Sequence, residues 1–102
     1  DSISKELSTI SHDGKSYAKI MFVVGKSSGK FDAVNQLSQK LSDLANATVP
    51  KISRGVYVKK SHYNQGISDN MVLIEVGAQS NTKEEVQATV EIIAKAIGEY
   101  LG

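Results

Sequence analysis

Residues 1–17 are polar and rich in Ser and Lys, with Asp13-Gly14 as a turn signal, so a loop or hairpin is expected ahead of the first apolar run. That run is Ile20-Met21-Phe22-Val23-Val24, stopped by Gly25. Its lack of alternation reads as a strand buried on both faces, as in parallel or mixed sheets covered by helices. Beyond the Lys26–Lys30 loop, Val34, Leu37, Leu41 and Leu44 recur at spacings of three and four. This predicts a helix from Phe31 to about Asn46 with one buried stripe, and Asp32 stands where a carboxylate favours the helix dipole. Pro50 lies in the exit segment. Val56 and Val58 then alternate with Tyr57 over Gly55–Lys59, the pattern of a short strand near a sheet edge.

Residues 61–70 are expected to form a polar loop rich in hydrogen-bonding groups, followed by a second apolar run, Met71 to Val76, closed by Gly77. This run reads as an interior strand that calls for neighbours on both sides. Asn81 is expected to open the last helix, with Glu84 three residues later completing a capping box. Val86, Val90, Ile93, Ile97 and Leu101 mark its expected buried face. The resulting order β-α-β-β-α indicates an α/β fold: a partial mixed or parallel sheet of about three strands with flanking helices. Residues 18–102 form its core. Three strands are few for such a sheet, so the chain reads as one piece of a larger domain. The bare sheet edge of such a piece predicts self-association or strand exchange.

With 102 residues and 40% hydrophobic content, the chain suits one small domain. It has no cysteine, which excludes a disulfide framework, a Cys-based zinc site and a thiol nucleophile. No apolar stretch approaches the roughly 20 residues of a membrane span. The net charge of +1 conceals an asymmetry, since residues 1–60 hold ten Lys/Arg against five Asp/Glu and residues 61–102 hold two against six. The basic residues are scattered and no stacking series of aromatics accompanies them, so nucleic acid is not an expected partner.

Glu75 is the chemical anomaly. An ionised carboxylate in a buried strand costs several kcal/mol, roughly, unless it is paired or bound to metal. Its position at the carboxyl end of a strand is where open α/β sheets bind ligands. Three roles stand open: a general base, a metal ligand, or a purely structural acceptor for Arg54, Lys59 or Lys60. His12 and His62 are the only histidines and have no zinc-motif spacing; a His12, His62 and Glu75 site is a minor option. No Gly-x-Ser-x-Gly elbow occurs. The Gly25–Lys30 segment departs from a phosphate-binding loop, being one residue short, with Phe31 at the hydroxyl position.

Several blocks, in order, carry a resemblance: Ala18–Gly25, Ser53-Arg54-Gly55-Val56-Tyr57, Tyr63-Asn64-Gln65, Leu73-Ile74-Glu75-Val76-Gly77 and Asn81-Thr82-x-Glu84-Glu85. Together they resemble the C-terminal part of the catalytic domain of stage II sporulation protein P. That family is similar to zinc-dependent N-acetylmuramoyl-L-alanine amidases. The resemblance implies a peptidoglycan hydrolase, an amidase with endopeptidase activity as well, acting in septal wall remodelling and engulfment during sporulation. It implies that Glu75 is the catalytic acid or base and that Tyr63, Asn64, Gln65 and Arg54 contact substrate. It also implies a zinc cofactor whose ligands precede Asp1, so residues 1–102 are expected to be a single C-terminal fragment, without metal ligands and inactive alone. The implied partners are peptidoglycan and stage II sporulation proteins D and M. The implied location is extracytoplasmic, at the sporulation septum or engulfing membrane, with anchoring segments outside this chain. The alternative is a non-enzymatic wall-binding or scaffold module with a degenerate metal site.

Overall fold

A computed structural model describes residues 5–25, 31–59 and 72–102; of Phe31 and Lys59 it describes the backbone. One turn of helix, α1 (Lys5–Ser8), leads into an antiparallel hairpin of β1 (Thr9–His12) and β2 (Lys15–Ala18). The hairpin is the one the polar N-terminal stretch left open. Its two-residue turn needs positive φ at both positions, and Asp13 (φ 51°) and Gly14 (φ 77°) supply it.

The sheet proper is built from β3 (Ile20–Gly25), β4 (Ser53–Lys59) and β5 (Leu73–Val76) in the order β4-β3-β5. β3 and β4 run parallel, joined by the helix α2 (Phe31–Thr48), while β5 runs antiparallel to β3. The expected mixed α/β fold is therefore present, with the first apolar run as its central strand and β4 at an edge. The second apolar run, which calls for neighbours on both sides, has one among the described residues: β5 pairs with β3.

α2 ends in a tight turn, Val49-Pro50-Lys51-Ile52, closed by the Ile52 N–H donating to the Val49 carbonyl at 3.1 Å. Proline fixes φ at the second position and Lys51 takes φ 68° at the third. The predicted stripe of α2 is turned inward, with Val34 and Leu41 buried and Leu37 and Leu44 half-buried. Ser38 and Ser42 share that face. Ser42 meets Ser53 at 2.6 Å between hydroxyls, and the Ser53 N–H donates to Asn46 Oδ1 at 2.9 Å, which fixes the start of β4 on the helix.

The last helix, α3 (Lys83–Leu101), starts one residue later than the sequence suggests. Its N-cap is Thr82, whose hydroxyl accepts from the Glu85 N–H at 3.1 Å, while Glu85 Oε1 accepts from the Thr82 N–H at 2.9 Å. Glu85 thus replaces Glu84 in the capping box, because Asn81 is engaged elsewhere: its Oδ1 accepts from the Ala78 N–H at 2.9 Å. The buried face is also rotated. Glu85, Ala88, Thr89 and Ala96 are the buried residues of α3, whereas Val90, Ile97 and Leu101 are exposed. Small side chains let α3 lie close to α2 and β2. Thr89 fixes the contact, its hydroxyl 2.6 Å from the Ala18 carbonyl and 3.0 Å from that of Glu85.

Both helices cover one face of the sheet. There Ile20 and Phe22 pack with Leu41, Ala45, Val49, Ile52, Ala88 and Ala96 in one core. Met21, on the opposite face, is only half-buried.

Candidate functional site

The chemistry-bearing residues of the sheet gather on the face opposite the helices. Glu75 stands directly across from Met21 in the β3–β5 register. On the other side of β3 the register slips: Ile20 pairs with Ser53 but Phe22 with Val56, so β4 carries one extra residue. This bulge is made possible by Gly55 at φ 107°, whose N–H donates to Ser53 Oγ at 3.1 Å. The bulge sets Arg54 beside Met21. Arg54 and Glu75 therefore flank one central-strand residue, and both line a shallow, open surface recess with Ser8, Lys19, Met21 and Gly77.

Backbone hydrogen bonds hold the floor of the recess. The Lys19 N–H donates to the Ser8 carbonyl and the Gly77 N–H donates to the Lys19 carbonyl, each at 2.7 Å. One residue thereby joins the hairpin, the central strand and the end of β5. Gly77 has φ 67°, and a Cβ there would collide with Asn81 Oδ1 and sit 2.9 Å from the Ala18 Cβ. Only glycine fits that junction.

Glu75 itself departs from expectation. Its carboxylate is exposed, because β5 alternates: Leu73 and Glu75 point away from the helices, Ile74 and Val76 toward them. The run looked buried on both faces because Leu73, 41% exposed, is an apolar residue on the open side. No desolvation penalty demands a partner. Among the described residues the Glu75 carboxylate makes no ion pair or hydrogen bond, including with Arg54, so the structural reading of that pair does not hold.

Among the described residues the buried carboxylate is that of Glu85, 7% exposed. It accepts from Asn81 Nδ2 at 3.1 Å and lies 3.4 Å from Lys5 Nζ, besides closing the capping box. The bond from the Thr82 N–H is the main cause holding its carboxyl below the ordinary value; burial opposes it, while Asn81 and Lys5 assist. The signal was readable as Thr82-x-x-Glu85, a capping box in its own right. Lys19, too, was missed. It follows Ala18 at the hairpin-to-sheet junction, and pattern gives no hint that it lines the same recess as Arg54 and Glu75.

Tyr63, Asn64, Gln65, Lys60 and His62 lie outside the described residues. His12, in β1, is 3.4 Å from Asp13 Oδ2 at the hairpin turn. Among the described residues no three His, Cys, Asp or Glu side chains converge as a metal site.

A profile of the stage II sporulation protein P family matches residues 1–98. This chain belongs to that family. Stage II sporulation protein P of Bacillus subtilis (strain 168) is 36% identical to it over 104 residues, covering 97% of this chain and 26% of the relative. The chain thus spans about a quarter of that protein's length. No solved structure matches. Within the stage II sporulation protein P segment, the Ser53–Tyr57 and Leu73–Gly77 blocks are the two neighbours of β3. The Asn81–Glu85 block is the helix start that braces them. The sheet therefore brings Arg54 and Glu75 to one recess, while Asn81, Thr82 and Glu85 have structural work.

Proposed function

We propose that this chain is part of a sporulation peptidoglycan hydrolase, an N-acetylmuramoyl-L-alanine amidase with endopeptidase activity as well, and that Glu75 is its acid–base group. The observation that carries this reading is the exposed Glu75 carboxylate lining one recess with Arg54 and Lys19. A carboxylate without a partner among the described residues is free to take a proton from an attacking water and pass it to a leaving amine, a role worth about 10²–10⁴ in rate. Arg54 and Lys19 supply cationic donors for the carboxylates and carbonyls of a stem peptide. Tyr63, Asn64 and Gln65 join them as substrate contacts on the strength of the resemblance.

The described residues do not fit a zinc site, so no step is assigned to the metal here. Ligands for the zinc that the resemblance implies would come from outside them. Peptidoglycan is the proposed substrate, and stage II sporulation proteins D and M are the proposed partners. The proposed location is extracytoplasmic, at the septal or engulfing membrane. No helix among the described residues is long and apolar enough to cross a membrane, so anchoring is assigned to other segments.

The test is Glu75→Gln in the full-length protein, with release of stem peptide from purified sacculi as the readout. A fall of about 10² or more is expected. Undiminished release removes Glu75 from the mechanism. Sacculus binding without cleavage by the unsubstituted protein supports the wall-binding module instead.

A further inference from the structure

The circumference of α3 divides into three arcs at about 100° per residue. One is the buried stripe of Glu85, Ala88, Thr89 and Ala96. A second carries Glu91, Lys95 and Glu99 and borders α2, where Lys95 Nζ donates to Thr48 Oγ1 at 3.3 Å and to Glu99 Oε2 at 2.6 Å. The third, on the side away from α2, is apolar and bare. Val90 is 50% exposed, Ile97 39%, Tyr100 46% and Leu101 78%, with Val86 and Ile93 half-buried beside them. This arc spans roughly 100°, and its one charge is Lys83 at the N-terminal end of the helix, in line with Leu101.

Such a face marks a contact. Its continuity with the interior says which kind: Ile93 packs directly against the core cluster, and no polar rim divides the core from the arc. A surface that runs into the core without a rim has the character of a domain interior rather than of a transient interface. β5, against which α3 also lies, has no described strand on its outer edge, so helix arc and strand edge leave one flank bare. The relative extends this argument, since this chain matches only 26% of its length. A segment tethered in the same polypeptide reaches the arc at high effective concentration and does not need electrostatic steering, for which the single Lys83 offers little.

We propose that the bare arc of α3, with the outer edge of β5, seats a segment of the full-length family protein that lies outside these 102 residues, forming a core that this chain only half supplies. The occupant is intramolecular. The interaction is apolar burial against Val90, Ile97 and Leu101, and it makes this segment and its complement one folding unit.

The experiment places a photo-reactive benzoylphenylalanine at Val90, at Ile97 and, as control, at Glu91 in the full-length protein, followed by irradiation, digestion and mass spectrometry. Cross-links from positions 90 and 97 to peptides outside this segment, in species of monomer mass and severalfold more abundant than from position 91, are expected. Cross-links confined to species of dimer mass assign the arc to a second copy and overturn the proposal. Yields at 90 and 97 no greater than at 91 overturn it as well. The unsubstituted full-length protein gives an independent reading by hydroxyl-radical footprinting, native against urea-unfolded. Protection of Tyr100 comparable to that of Tyr17, which is buried at 9% exposure, is expected, and the oxidation rate of a solvent-exposed tyrosine overturns the assignment.

Discussion

Asn81 Nδ2 donates to Thr9 Oγ1 across 2.7 Å, joining residues 72 positions apart in the chain. The same amide donates to Glu85 Oε1 and accepts from the Ala78 N–H, so one side chain ties the N-terminal hairpin to the loop after β5 and to the start of α3. Asn81→Ala removes all three bonds at a half-buried site and is expected to lower stability by about 1–3 kcal/mol. Urea unfolding measures it. A double-mutant cycle with Thr9→Val isolates the long-range bond, and additive losses would show that the hairpin tie contributes nothing.

Thr89 provides the second long-range tie, between α3 and the end of β2. Thr89→Val keeps the shape and removes the hydroxyl proton shared between the Ala18 and Glu85 carbonyls. A loss of about 1 kcal/mol is expected from the hydrogen bond alone. Thr89→Ala costs more, because Thr89 is fully buried and the truncation also leaves a void. Equal midpoints for the two variants would contradict this ordering.

Glu85 makes the fold acid-sensitive. Its carboxyl is held below the ordinary value, chiefly by the Thr82 N–H, so the unfolded chain takes up the proton first as pH falls. The contribution is complete above the ordinary carboxylate value and is lost on descent through the lowered one. The stability difference between the unsubstituted protein and Glu85→Gln is therefore expected to shrink as the pH falls below the ordinary carboxylate value of 4.5. A difference that stays constant through acid titration would assign the acid sensitivity to other groups.

Gly77→Ala tests the floor of the recess. The new methyl collides with Asn81 Oδ1 and crowds Ala18, and φ 67° is strained for any L side chain. A loss of about 1–3 kcal/mol is expected. Because Gly77 lines the recess beside Glu75, the proposed peptidoglycan cleavage is expected to fall in the full-length variant even at temperatures where the protein remains folded. Thermal melts and cleavage assays separate the two effects.

Much of the fold was legible in local pattern. The α2 stripe, the Asp13-Gly14 turn and the central apolar strand each depend on one backbone period or one turn geometry, and those are written residue by residue. The last helix was readable in extent but not in rotation. Its largest apolar residues, Val90, Ile97 and Leu101, mark an exposed arc, while Ala88, Thr89 and Ala96 face the core, because a close helix contact selects small side chains. Pattern registers hydrophobicity; it does not say which of two apolar arcs the neighbours in this chain will cover.

The candidate site divides in the same way. The sequence by itself determined the family and singled out Glu75 and Arg54, since blocks of residue types in a fixed order survive without coordinates. Only the tertiary structure decided their setting. The antiparallel register puts Glu75 across from Met21, the Gly55 bulge puts Arg54 on the other side, and the hairpin junction brings in Lys19. It also reversed the electrostatic argument, moving the buried carboxylate from Glu75 to Glu85. Burial is a property of what packs on a face, and strand order fixes that through contacts between residues far apart in the chain.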